Sequence, residues 1–404
     1  MPKPNPPQRR FLAAQTIDFG GPGSILADFE VLLGFLESGV DSTGKHHLLP
    51  MGSLAELDAL MTRPLRPKLE RPQQRSFPHL NGLYLLLRAT QLGVSEGHGT
   101  AAGRLALDPG MHQQWLQLNE TERYFNLLEA WLRRASWEAV GLRGGGWMNH
   151  VAMNLHDLWM SIPPAGHRFS EKQRRGRDPL YSTERSTTLA LAELFGLMIV
   201  ERAEPEEGQS WCVTKVGHTP YGDELLGVVF EEMERELFAH ERPTADFGAW
   251  QAALAPYFPQ WINNLRFPPP EFRDGVFYFK VSLGRPWRRI AIPADFALDE
   301  LARCIIRAFD FDGGHLYAFH YSGRDGRQVR VEHPYVEDAE RFTDEVAIGE
   351  LPLGERQSMQ FQYDFGADWR FNVRLEKVEP EGSQVSEPTV VESRGEAPAE
   401  YDFD

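Results

Sequence analysis

Three groups of residues in this chain have types and spacings that could do chemistry. The first is basic. Arg168, Lys172, Arg174, Arg175 and Arg177 stand close together against Glu171 alone, and Arg63, Arg66, Lys68, Arg71 and Arg75 stand against Glu70 alone. Runs of this kind are the electrostatic footprint of phosphate binding, or else a solvated loop. In the second group, Trp287 lies beside Pro286 and among Arg285, Arg288 and Arg289. An indole there could stack a base while a guanidinium holds a phosphate; as a strand-turn anchor it would go to the core instead. The third group is His315, His320, Asp310, Asp312, Asp364 and Asp368, a donor set that suits zinc or manganese. His315 and His320 are five residues apart, so on one strand they point to opposite faces. Solvent-facing or hydrogen-bonded histidines are the expectation, with no metal and no cofactor.

Other chemistry lacks its signature. Gly144-Gly145-Gly146 has no Lys-Ser/Thr behind it, so it is no phosphate-cradling loop. Asp364-Phe365-Gly366 spells a kinase triplet without the kinase motifs that precede it. Cys212 sits in an apolar strand pattern and Cys304 on an apolar helix face, where thiols are inert. No serine occupies a nucleophile elbow.

The elements that must position these groups belong to a chain of 404 residues, 42% hydrophobic and 25% charged, enough for two or three domains. Two cysteines cannot make a disulfide framework, so a reducing, cytoplasmic setting is expected. No apolar run reaches the roughly 18 residues of a membrane span, and MPKPNPPQRR has no apolar stretch of a leader. The net charge of −16 hides an asymmetry: residues 1–180 carry +3 and residues 181–404 carry −19.

The first ten residues, rich in proline, are expected to be a disordered arm. Helical periodicity follows. Ser24 reads as an N-cap before Ile25, Phe29, Leu32 and Leu36, and Asn119 with Glu122 reads as a capping box. Residues 86–116 and 194–226 share one order: a helix end with Leu and Gly, a loop, a short strand, a Pro–Gly turn and a new helix. That order is similar to the recognition helix, wing and following helix of winged-helix domains. A division of the helical region near 163–185 follows from the prolines and basic loop there. Pro268-Pro269-Pro270 can neither extend a helix nor sit in a central strand, and marks a domain boundary.

Past it the period changes to two. Phe277, Phe279, Val281 and Leu283 share one strand face, and Leu298, Leu301, Ile305 and Ala308 mark a helix. Met359–Phe365 and Trp369–Leu375 alternate as a hairpin. A three-residue turn pairs Phe365 with Trp369, Tyr363 with Phe371 and Asp364 with Arg370. The segments KVSLGRPWRRIAIPADFALDELARCIIRAFDFDGGHLYAFH, YDFGADW and PTVVESRGEAP together resemble the Ri-plasmid ORF-3-like family, over roughly residues 275–404. The resemblance implies a compact α+β domain common on plasmids and insertion elements, with no established catalytic residues. Where the family pattern places a second Asp and a His around the hairpin, this chain has Ala367 and Phe371.

The expectation is thus an α+β protein: residues 11–267 mainly helical with winged-helix-like parts, and residues 272–404 an ORF-3-like domain with an acidic C-terminal tail. Its expected role is that of a non-enzymatic, nucleic-acid-associated accessory protein of a mobile element or host defence system. DNA or RNA would bind local basic patches at Arg168, Lys172, Arg174, Arg175, Arg177, Arg285, Trp287 and Arg288. Two alternatives stand beside it. One is a metal-dependent hydrolase or nuclease using the histidines and aspartates of the C-terminal domain. The other is an interaction module whose acidic face binds a basic protein.

Overall fold

A computed structural model describes residues 6–44, 46–96, 103–142, 150–163, 165–170, 182–238, 246–269, 271–337, 339–380 and 385–401. The chain forms two compact units, divided between Phe267 and Pro268.

The first unit is helical with two small sheets. It opens with α1 (Pro6–Ala13), which corrects the expected disordered arm over residues 6–10; residues 1–5 of that arm lie outside the described residues. Pro6 and Pro7 start the helix, where a missing N–H is no loss, and Leu12 anchors it in the core. Next come α2 (Ile25–Leu36), β1 (Val40–Asp41), α3 (Met51–Leu60), α4 (Pro78–Ala89), β2 (Gly93–Glu96) and β3 (Arg104–Leu107). The strands pair antiparallel in the order β1-β3-β2. Asp108 caps α5 (Pro109–Gln117) by accepting from the Met111 N–H. Asn119 and Glu122 close the capping box of α6 (Glu120–Glu129). The order then repeats: α7 (His150–Ser161), β4 (His167–Arg168), α8 (Thr183–Leu194), β5 (Met198–Ala203) and β6 (Cys212–His218), with sheet order β4-β6-β5. Helices α9 (Pro220–Phe238) and α10 (Gln251–Leu254) complete the unit.

These pieces share one core, so no division falls near 163–185. All twelve residues of α4 are buried. Gly82 lets α4 come close to α8; a Cβ there would lie 2.7 Å from Leu191 Cγ. The Asn81 amide donates to Thr187 Oγ1 across the contact, at 3.0 Å, and accepts from Gln74.

The second unit holds β7 (Val276–Ser282), β8 (Trp287–Pro293), α11 (Leu298–Ala308), β9 (Tyr317–Ser322), β10 (Gln328–Glu332), β11 (Ser358–Tyr363), β12 (Trp369–Glu379) and β13 (Thr389–Arg394). The seven strands form one antiparallel sheet in the order β10-β9-β11-β12-β7-β8-β13. Helix α11 packs Leu298, Leu301 and Ile305 into the same core as Phe279, Ile290, Phe319, Phe361 and Phe371 on one sheet face. The C-terminal segment read as an acidic tail supplies β13, an edge strand bonded to β8.

The hairpin register differs from the expected one by two residues. Tyr363 pairs with Trp369, Phe361 with Phe371 and Gln362 with Arg370. The loop is five residues long because Asp364 and Asp368 both take left-handed φ, 52° and 55°. Asp364 accepts from the Gly366 N–H, and the Asp368 N–H donates to the Asp364 carbonyl. A shift of two leaves every side chain on its expected face. It removes the Asp364–Arg370 pair; Arg370 bonds Asp368 instead, at 2.8 Å. Among the described residues, no helix is long and apolar enough to cross a membrane.

Candidate functional site

The metal-type candidates separate into two places. The turn after α11 carries Asp312 and His315, and the chain beyond β13 brings Glu400 and Tyr401 to it. Asp312, His315 and Glu400 each offer a ligand atom within 4.8 Å of the others. Tyrosines knit the group together. Tyr401 Oη donates to Asp312 Oδ2 at 2.6 Å and lies 3.0 Å from His315 Nε2. Tyr363 Oη is 3.2 Å from Asp312 Oδ1 and 3.0 Å from Glu400 Oε1, so two carboxylates share its proton. Asp312 also accepts from the Gly314 N–H, and its own N–H donates to Glu400. The Tyr401 hydroxyl and the Gly314 N–H hold the Asp312 carboxyl below the usual range, while bonding to that carboxylate pushes the Tyr401 hydroxyl up. As arranged, the group is a latch between the chain end and the 312–315 turn. Asp364 is a looser neighbour, 3.7 Å from His315 Nδ1.

His320 and Asp368 belong elsewhere. Both point to the sheet face away from α11, where His320 Nε2 meets Gln362 Oε1 at 3.0 Å and the Gln362 amide donates to Asp368. Burial and the nearby Arg330 and Arg370 lower the His320 pKa, with the Gln362 bond opposing them. Asp310 is exposed at the end of α11 and joins neither group. Phe371 is wholly buried against Phe309 and Phe311.

The Trp287 group also separates. Trp287 and Arg285 line an open hollow of about 480 Å³ with Pro286, Arg394, Gly395 and Glu396. Lys280 Nζ sits 4.5 Å from the indole centroid, a cation–π contact. Arg288 turns the other way and is withdrawn as a phosphate ligand. Its guanidinium is buried over Phe309 and donates to the carbonyls of Trp287, Ala308, Arg394 and Gly395. It ties β13 and the end of α11 to β8.

Of the basic runs, Arg168 lies on β4 opposite Lys215, its Nη2 3.7 Å from Glu201. Lys172, Arg174, Arg175 and Arg177 lie outside the described residues. The start of the other run, residues 62–68, is held through its backbone N–H groups. The buried Asp58 carboxylate accepts from the N–H groups of Leu65 and Arg66 and pairs with His79 at 2.9 Å. Burial works against that charge, but His79 and the two amides outweigh it and keep the Asp58 pKa low. Arg63 is paired with Glu193. Arg66, Lys68, Arg71 and Arg75 are exposed and form no ion pair among the described residues.

Reading the sequence missed Glu400, Tyr401 and Tyr363 in the latch, and Arg394 in the hollow. Only the β-branched pair Val390-Val391 signalled the strand that brings the first two there.

Residues 278–402 match the family described as Plasmid pRiA4b ORF-3-like protein. No curated protein matches the chain. Among solved structures, a protein of unknown function from Methanosarcina mazei Go1 is similar at 23% identity with a TM-score of 0.29, over 32% of this chain and 75% of that one.

Proposed function

We propose that this is a nucleic-acid-associated accessory protein that acts without catalysis, in the setting of a mobile element or host defence that the plasmid family name suggests. The observation that carries the reading is the exposed run Arg66, Lys68, Arg71 and Arg75. Its backbone is held by Asp58 at Arg66 and by the Gln209 carbonyl at Lys68, and its charges are free of acidic partners among the described residues. A locally positive surface can hold phosphates on a chain of net −16, because salt screens the distant acids over about 8 Å. The repeated order of helix, short strand, helix and hairpin, with sheets β1-β3-β2 and β4-β6-β5, supports a winged-helix-like reading of this unit. The helices that would enter a groove, α4 and α8, are packed on each other. Contact would therefore run through the surface segment to the phosphate backbone, with weak sequence preference.

The test is a salt titration of random-sequence duplex DNA with the full chain. Replacing Arg66, Lys68, Arg71 and Arg75 with Ser should flatten the log–log salt slope by about three to four units. No binding at low salt of either duplex or single-stranded oligonucleotide would overturn the association, and an unchanged slope in the variant would overturn its assignment to this segment. A second reading has one observation behind it, the convergence of Asp312, His315 and Glu400. A metal-dependent hydrolase would bind zinc or manganese tightly and lose it in His315→Ala; a titration without binding heat removes that reading.

A further inference from the structure

Among the described residues, most side chains on the face of the large sheet opposite α11 are half-exposed or exposed, and they follow a register that can be traced strand by strand. At the β13 edge Arg394 stands opposite Trp287, which stands opposite Ser282 on β7. Ser282 stands opposite Asn372, and Asn372 opposite Gln360. Gln360 stands opposite His320, and His320 opposite Arg330 at the far edge. Paired residues of an antiparallel sheet point to one face, so one row crosses all seven strands. At about 4.8 Å between strands it is roughly 29 Å long.

The row holds hydrogen-bonding, cationic and aromatic side chains and no acid. None of its members is buried. Of the acids beside it, Glu376 and Glu392 are engaged by Arg289, Asp368 by Arg370 and Glu332 by Arg330; Glu396, exposed at the Trp287 end, lines the hollow with Arg285 and Arg394. Arg374, next to the row on β12, and the Asn372 amide have no partner among the described residues. Lys280, opposite Arg374, holds its ammonium over the Trp287 ring and forms no ion pair among the described residues. An aromatic marks each end: Trp287 near β13, and the partly exposed Phe365 with Arg330 stacked 5.1 Å above it.

We infer that this face is a platform for single-stranded nucleic acid, laid across the strands along the Arg394–Arg330 row. The charge sign selects a polyanion. Amide, imidazole and hydroxyl groups beside the cations suit base edges, which a duplex would keep paired inside. Trp287 and Phe365 offer stacking at the two ends. The length suits on the order of four to five nucleotides, the low end for sheet platforms. The inference deepens the proposed nucleic-acid association and rests on it, but uses a surface separate from the Arg66–Arg75 segment.

The test uses the full chain and fluorescein-labelled 15-mers of oligo-dT and oligo-U, with a random duplex as control. The double variant Asn372→Asp/Arg374→Glu changes two exposed side chains without internal partners, and Arg374→Ser is the milder form. Single-strand affinity should fall at least tenfold in the double variant and severalfold in Arg374→Ser, with duplex binding unchanged. Preference for oligo-U over oligo-dT would assign RNA and the reverse DNA, either one supporting the platform. Single-strand binding that both variants leave intact overturns the platform while sparing the association. Binding of duplex alone does the same. Binding of neither overturns both. Equal competition by polyglutamate would make the face a surface for acidic proteins and overturn the assignment.

Discussion

In the helical unit Asp28, Asp58, Glu122, Glu129 and Arg134 are all buried, while across the large sheet Lys280 is half-exposed and Asn372 and Arg374 are exposed. The buried set is structural. Glu122 accepts from the N–H groups of Asn119, Ile262 and Asn263, and Glu129 from those of Gly248 and Trp250. Each carboxylate replaces backbone partners that irregular chain would otherwise leave unbonded inside the protein. On the sheet, Asn372 and Arg374 have donors to spare among the described residues, whereas Arg134, of the same type as Arg374, is buried and donates to the Ala89 carbonyl. Residue type alone therefore does not mark a site; what the fold leaves unbonded does.

The comparison breaks first if the two cores are not independent. Trp131→Ala should destabilise the helical unit by about 3–5 kcal/mol, and Phe371→Ala the sheet unit by a similar amount. Calorimetry should show each variant moving one transition; a shift of both together would mean one cooperative body. Residues 268–404 expressed alone should unfold cooperatively for the same reason.

Glu129 sharpens the comparison through pH. Burial raises its pKa to about 7, although the Trp250 and Gly248 amides oppose the rise. The folded state then keeps a proton that the unfolded chain has released, so the stability that Glu129 contributes is full below pH about 4.5 and is lost as pH rises to about 7. The full effect is roughly 3 kcal/mol. Denaturation midpoints should drop over that window, and Glu129→Gln should remove the slope. A slope that survives the substitution would assign it to another group.

The smallest effect belongs to the latch. Tyr401→Phe removes a hydroxyl from an exposed network and should lower the midpoint of the sheet transition only slightly. A large drop in that midpoint would show that the chain end carries part of the fold.

Much of this architecture was legible. The capping box of α6, the period-two strands and the apolar face of α11 are local patterns, and local patterns survive folding. The hairpin faces were readable but its register was not, because two aspartates in left-handed conformation lengthen the loop without disturbing the alternation. Arg288 was misread because its basic neighbours suggested a patch, whereas the strand's alternation turns it inward from Trp287 and Arg289. Glu400 and Tyr401 carried no local sign at all. Their role comes from a closure over more than eighty residues, set by where β13 docks.

That docking has a consequence for how copies of this chain behave toward one another. Strand β13 is exposed along its whole length, and β8 beneath it is central only while β13 stays in place. Lift residues 389–394 away and the N–H and C=O groups of Trp287–Pro293 that face β13 become a bare sheet edge. Such an edge is a template for any extended chain, including the same strand from a second molecule. Arg288, at Arg394 and Gly395, and the tyrosine latch, at Glu400 and Tyr401, thus act as two clasps on the C-terminal side of the strand. Loosening both would turn a self-contained sheet into one that can trade strands.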